Sequence, residues 1–378
     1  MKTLFRILIL IPLQLASQNR TVIQNVRLFD GTKAHEQTNI EIENGSIVSI
    51  SDRKTSTADA VVIDGRGMTV LPGLINAHTH VWDASQLKQA LRAGVFGLLD
   101  MHSPEEYTAP LRDLKLSDGY ANFFSAGHAA TVEGGHGTQY GFEVPTIGED
   151  LSPEEFVKQR KEHGSDYIKI IYEPSKSTLT LDEIKELISS ANAESLLAVA
   201  HISTLANAME LVSLNIDAFV HVWRDEIISK EQVSKLVDNR VFVIPTLAVH
   251  EKVQEYYQKK RIKSKRLSID RIGQNVRLLY ESGVPILSGT DAPNLGIDYG
   301  PSIYRELELL VESGLPEIEA LKSATSNIAH HFNLKDLGNI REGQAANFLI
   351  VNGNPLENIS DIRSIQSIWI DGKPRSNN

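Results

Sequence analysis

The 378-residue sequence has no cysteine. Disulfide staples, thiolate metal sites and lipid attachment at a lipobox cysteine are therefore excluded, and any metal must be held by His, Asp, Glu or Lys. Positive charge is scarce: 38 Lys and Arg against 48 Asp and Glu give a net charge of −10, which argues against nucleic acid as a main partner. Beyond residue 20 no apolar stretch is long enough to span a bilayer. Internal repeats and low-complexity tracts are also missing.

What is present begins with MKTLFRILILIPLQLASQNR. Lys2 and Arg6 precede a short apolar core from Ile7 to Leu15, followed by the small residues Ala16 and Ser17. That pattern is expected of a secretory signal peptide over residues 1–17, and hence of a periplasmic or secreted chain with no stable membrane span after its removal. The remainder, with 41% hydrophobic and 23% charged residues overall, is expected to be globular. Its length leaves room for a barrel of about 250 residues and a second, smaller unit.

From Thr21 to Val70 short alternating runs (TVIQNVRLFD, NIEIENGSIVSI, AVVIDGRGMTV) are punctuated by Asn-Gly and Asp-Gly. These are turn signals of antiparallel strands. The same texture returns in NFLIVNG and IQSIWIDGKP. Neither end can bury a core alone, so the two are expected to pair as one discontinuous β-sandwich, residues 20–70 with 337–378. Between them, residues 71–336, apolar strands alternate with helical stretches. The strand leading into His78 is followed by FGLLDM, NFFSAG, YIKIIY, LLAVAH, AFVHVW, VFVIPTL and VPILSGTDAP. Intervening segments such as SPEEFVKQRKEHG and TLDEIKELISSANAES open with Ser or Thr followed by Glu, which predicts capped helices. Eight alternations predict an α/β fold, a (β/α)8 TIM barrel.

In such a barrel chemistry sits at the C-terminal strand ends. Strand one ends in His78 and His80, and residues two apart on a strand point to the same side. Strand four carries Lys169, strand five ends in His201, strand six in His221 and strand eight in Asp291. Each has a bland explanation: a strand cap, a sheet-face lysine, a hydrogen-bonded structural histidine, or a helix N-cap aspartate. Together they place metal-ligand residue types at five separate strand ends, which favours a metal site over coincidence.

These residues identify a resemblance. The sequence resembles the amidohydrolase superfamily, in the branch of imidazolonepropionase-like hydrolases and metal-dependent Xaa-Pro dipeptidases. The likeness runs from the leading β segment and PGLINAHTH through GTDAP to GNIREGQAANFLIV. It implies a binuclear centre in which His78, His80 and Asp291 hold one divalent metal and His201 and His221 the other. Lys169 would bridge them as a carbamate formed with carbon dioxide. A lysine inside a barrel pays a desolvation penalty as an ammonium, so a neutral amine is available for that step. Zinc suits imidazole and carboxylate ligands, with manganese and cobalt as alternatives. Two metals about 3.5 to 4 Å apart would acidify a bridging water to hydroxide, with Asp291 as general base and then acid.

The implied activity is hydrolysis of carbon–nitrogen bonds in a small-molecule substrate such as a dipeptide or an N-acyl amino acid. Cyclic amide hydrolysis and deamination are alternatives. Superfamily deaminases place a glutamate three residues after the strand-five histidine, where this chain has Thr204. Lactone and phosphotriester hydrolysis use similar metal chemistry, and a non-catalytic binding protein is a third class, disfavoured by the intact ligand set. A homo-oligomer is common in the family.

Three further features stand near the expected centre. In SAGHAATVEGGHGTQYG, residues 125–141, His136 resembles a substrate-contacting group, with His128 as a second candidate and a flexible surface loop as the alternative. Tyr172, just past Lys169, could donate to substrate or simply pack. His102 ends strand two and could support a ligand from behind. His330 and His331 are expected to pack or face solvent. The basic run KKRIKSKR, residues 259–266, reads as a solvated helix face, with a lid that attracts anionic substrates as the alternative.

Overall fold

The computed structural model describes residues 20–262 and 268–375. The expected leader, and residues 263–266 of the basic run, lie outside them. The N-terminal part forms β1 (Arg20–Phe29), β2 (Ala34–Glu43), β3 (Ser46–Ser51), β4 (Val61–Asp64) and β5 (Met68–Leu71). Asn44 and Gly45, at φ 50° and 86°, make the tight connection of β2 to β3, as a two-residue hairpin turn with left-handed central residues requires. In β1 the register slips between Ile23 and Val26. Asn25, at φ 56°, is the bulge that keeps both of those side chains inside.

Parallel strands follow. One sheet holds β6 (Leu74–Thr79), β7 (Val95–Asp100) and β8 (Asn122–Ser125); another holds β9 (Ile168–Ile171), β10 (Ala198–His201), β11 (Ala218–Val220) and β12 (Phe242–Ile244). The connecting helices start where the sequence signals them. Ser152 caps Pro153–Glu162, and Thr180 forms a capping box with Glu183 at the start of Leu181–Ala193. Both strands and helices are covered by one large apolar core that includes Leu98, Ile168, Val199 and Leu307.

The expected eighth strand, near residue 284, is not formed as a strand. Its segment instead makes isolated bridging bonds to both neighbours. Val243 donates to the Pro285 carbonyl and receives Leu287 (each 2.9 Å), while Ala77 donates to the Ser288 carbonyl and Asp291 to the His78 carbonyl (each 2.9 Å). Pro285 and Pro293 lack donors, and Asp291 sits at φ 66°, so a regular ladder cannot run through it. On the other side Ala130 donates to the Lys169 carbonyl at 2.8 Å and receives Ile171 at 3.0 Å, joining the loop after β8 to β9. Among the described residues the strands therefore make two parallel sheets and no closed eight-stranded barrel. The fold is mixed α/β.

The chain ends in β13 (Phe348–Asn352), β14 (Ile365–Ile370) and β15 (Lys373–Arg375). These join the N-terminal strands in one continuous sheet of order β15-β14-β13-β5-β1-β2-β3, with β4 beside β1. The junction is the antiparallel pair β5 and β13, with Val70 opposite Ile350. A second small core, including Val26, Ile40, Phe348 and Trp369, lies within this unit. No helix among the described residues is long and apolar enough to cross a membrane.

Candidate metal centre

The strand-end residues converge. His78 is the penultimate residue of β6, and His80 follows it by two. Asp291 Oδ1 lies 3.1 Å from Nε2 of both rings. Local sequence explains the approach. Asn76 accepts from the His78 and Thr290 backbone N–H groups, at 3.3 and 3.1 Å, and donates to Thr290 Oγ1 at 2.8 Å, clamping the two segments together. Gly289 makes the closeness sterically feasible, because a Cβ there would stand 2.5 Å from Ile244 Cγ2 and 2.9 Å from His78 Cβ.

Lys169 projects from β9 with 3% of its surface exposed, and its Nζ has no hydrogen-bond partner among the described residues. Burial lowers it to about 7, although Asp291 and Asp100 pull the other way. His201 ends β10 with Nε2 3.8 Å from Glu173 Oε2, too far for a direct hydrogen bond. His221 lies just past β11 at φ 64°. Its Nδ1 is 2.6 Å from Thr246 Oγ1, and that hydroxyl donates to the Pro245 carbonyl at 2.8 Å. Thr246 must therefore accept from Nδ1–H, which leaves the His221 Nε2 lone pair free. Ring centroids of His78 and His201 stand 5.1 and 4.9 Å from that of His221.

Electrostatics keeps three of the four rings in ligand form; for His80 burial pulls downward, but the hydrogen bond to and charge of Asp291 outweigh it and raise the ring above its ordinary value. Burial drives His78 down to about 3, with Lys169 adding to the effect. Burial also lowers His201 and, more strongly, His221. Neutral imidazole is the form that binds a cation. Burial would push Asp291 up, but the neighbouring His78 and His80 outweigh it and hold the carboxyl well below its ordinary value. All six expected ligands line one cavity of about 260 Å³. Ligand atoms of His78, His221 and Asp291 lie within 4.8 Å of one another.

The expected substrate contacts divide. His136 lines the cavity, its ring 4.9 Å from His201. Its Nδ1 accepts from Gln139 and Lys176, each at 3.2 Å, so Nε2 carries the proton and can donate. His128 does not line the cavity: its Nε2 stands 3.1 Å from Glu105, which also holds buried Arg160. Tyr172 is likewise turned away, donating to Glu210 at 2.8 Å. His102 supports the site from behind, as expected: its carbonyl receives His80 Nδ1 at 3.2 Å, and its ring ties Ala129 to the Gly137 carbonyl. His331 packs on Phe242.

Two residues passed over in the sequence reading adjoin the site. Arg224 and His250 line an alcove of about 120 Å³ whose walls include His201, His221 and Asp291. His250 could have been noticed one helical turn after Thr246, in VIPTLAVH. Nothing in the sequence distinguishes Arg224 from an ordinary loop arginine.

Residues 69–375 match the profile described as Amidohydrolase family. The backbone superimposes on a Xaa-Pro dipeptidase crystallised with methionine in its active site, with a TM-score of 0.80 and 23% identity, covering 94% of this chain and 99% of that one. The enamidase of Eubacterium barkeri is 22% identical over 94% of this chain and 95% of its own length. A dihydroorotase of Caldanaerobacter subterraneus subsp. tengcongensis is 38% identical over 76 residues only, 20% of this chain and 17% of that protein. With its profile match spanning most of its length, the chain belongs to the amidohydrolase family and is a hydrolase acting on carbon–nitrogen bonds.

Proposed function

We propose that the protein is a binuclear metal-dependent amidase of small substrates such as dipeptides or N-acyl amino acids. The observation that carries this reading is Lys169. A lysine buried without a partner, set among four histidines and an aspartate in one cavity, makes little sense as a lone ammonium. It makes sense as an amine that adds carbon dioxide, loses a proton and becomes an anionic bridge. The orphaned Nζ and the all-imidazole-and-carboxylate donor set fit two divalent cations, most naturally zinc.

His78, His80 and Asp291 would hold one cation, His201 and His221 the other, with carboxylated Lys169 between them. Bound cations supply Lewis acidity and an acidified water. The protein's own groups do the rest. Asp291 takes the proton of the attacking water and returns it to the leaving nitrogen. His136 offers Nε2–H to the scissile carbonyl, and Tyr140, Val249 and Leu295 give the cavity an apolar wall.

The bridging bonds of segment 285–292 and of Ala130 support reading the two parallel sheets as arcs of one eight-stranded barrel, residues 71–336. Residues 20–70 and 337–378 make the accompanying β unit. The N-terminal leader supports a periplasmic or secreted setting. Deamination is disfavoured because Thr204, where a superfamily deaminase has its glutamate, is occupied in capping helix Leu205–Val212.

The test is metal content per chain by mass spectrometry, beside a Lys169→Ala variant, together with a screen of dipeptides and N-acyl amino acids. Two metals in the wild type, their loss in the variant and amide cleavage are expected. One metal in both proteins would overturn the bridged centre, and no cleavage across the panel would overturn the substrate class.

A further inference from the structure

The alcove beside the cavity is built around two groups that the proposed hydrolysis does not use. His250 is 5% exposed, and neither ring nitrogen makes a well-formed hydrogen bond, although the Val222 carbonyl lies near. One ring nitrogen faces the Val222 carbonyl, and the other, buried without a well-formed partner among the described residues, is destabilising unless a polar ligand meets it. Arg224 faces the same space. It forms no ion pair or hydrogen bond with any described residue.

Its acidic neighbour does not neutralise it. Asp225 accepts the Leu205 backbone N–H at 2.9 Å and offers its carbonyl to Arg271. The remaining polar wall is also committed, since Ser203 donates to Glu173. Among the described residues Arg224 is thus the one cation lining the alcove, and its planar fork matches a carboxylate in two hydrogen bonds. Asp291, on the shared wall, excludes an anion from that side and leaves the Arg224–His250 side to receive it.

We propose that Arg224 and His250 form the receptor for a free carboxylate of the substrate and make this enzyme selective for amides whose leaving amine bears one. The inference rests on the hydrolase reading above and assigns to Arg224 and His250 the recognition that such substrates require. Arg224 takes the carboxylate oxygens, and neutral His250 donates one N–H to the same group. The alcove shares His201, His221 and Asp291 with the main cavity, so an α-carboxylate on the leaving amine reaches it while the acyl part lies along Tyr140 and Leu295. Longer peptides, with their next residue amide-linked there, are disfavoured.

The experiment compares N-acetyl-L-amino acids with their C-terminal carboxamides, following acetate release by the metal-loaded enzyme. The wild type is expected to prefer the acids by at least about 100-fold in kcat/KM, the size of a charge-assisted pair. Arg224→Met should collapse that ratio toward one, Arg224→Lys should keep part of it, and His250→Phe should lower it about tenfold. Calorimetric titration of metal-stripped protein with the same acids gives a second readout. Heat of binding in the wild type and its loss in Arg224→Met support the receptor. An acid-to-amide ratio near one in the wild type, or one unchanged in Arg224→Met, overturns it while leaving the amidase reading intact. If neither substrate series is cleaved, the amidase reading fails, and the titration alone decides whether Arg224 binds carboxylates.

Discussion

Thr246 holds His221 and leaves its own helix to be capped by Glu306. The Thr246 hydroxyl meets His221 Nδ1 at 2.6 Å, so it makes no cap bond to helix Leu247–Lys259. Glu306 supplies that cap from another helix, accepting the Leu247 and Ala248 N–H groups at 3.0 and 2.7 Å. Removing the hydroxyl in Thr246→Val should free the imidazole to rotate and to change tautomer. Metal affinity is expected to fall about 10- to 100-fold, measured by competition with a chelator, with little change in melting temperature.

Glu306 itself predicts a pH dependence of stability. It is fully buried, and burial pushes its carboxyl up to about 8 against the two backbone donors. A folded value above the unfolded one means that the folded protein holds the extra proton. The stabilising contribution is therefore complete below about 4.5 and is lost as pH rises toward 8. Denaturant midpoints should fall between pH 5 and 8, and Glu306→Gln should flatten that slope. An equally steep slope in the variant would remove Glu306 as its source.

Lys169 predicts how the centre assembles. Only the neutral amine adds carbon dioxide, and burial brings its value to about 7. Metal uptake by stripped protein in bicarbonate should accelerate from pH 6 to 8, whereas uptake without bicarbonate should stay slow throughout. Rates that ignore both variables would leave Lys169 without a bridging role.

Asp291→Ala removes the group that carries the proton. Turnover is expected to fall by about 10²–10⁴-fold, the range of general acid–base catalysis, while circular dichroism stays that of the wild type. Full activity in this variant would sink the assignment.

His136 and His128 should separate cleanly. His136→Ala, at the cavity wall, is expected to lower kcat/KM about tenfold with an unchanged melting temperature. His128→Ala removes a ring that burial keeps below its ordinary value from Glu105, which Arg160 still pairs, so its cost, about 1–3 kcal/mol for a broken buried hydrogen bond, appears in stability and not in KM.

Most strands and capped helices could be read from the sequence because their signals are short-range. Alternating burial, Asn44-Gly45 and the Thr180–Glu183 box each act within a few residues. The eighth parallel segment escaped that logic. Its apolar run resembles a strand, yet Pro285, Pro293 and the left-handed Asp291 break the ladder into single bridges. His128 and Tyr172 were misleading for a related reason: residue type and position bring them near the site, but Glu105 and Glu210, far off in sequence, decide where they point.

By itself, the sequence determined that His78, His80, His201 and His221 stand at or just past strand ends and that Lys169 lies on β9, since a strand's period of two and its flanking helices locate those positions without knowledge of any neighbour; Asp291 instead sits on a segment that forms only bridges. Only the tertiary structure decided that Lys169 stays unpartnered, that Thr246 fixes the His221 tautomer and that Arg224 meets His250. Each of those depends on the distance between side chains carried by different elements. Chain order leaves that distance open, and packing closes it.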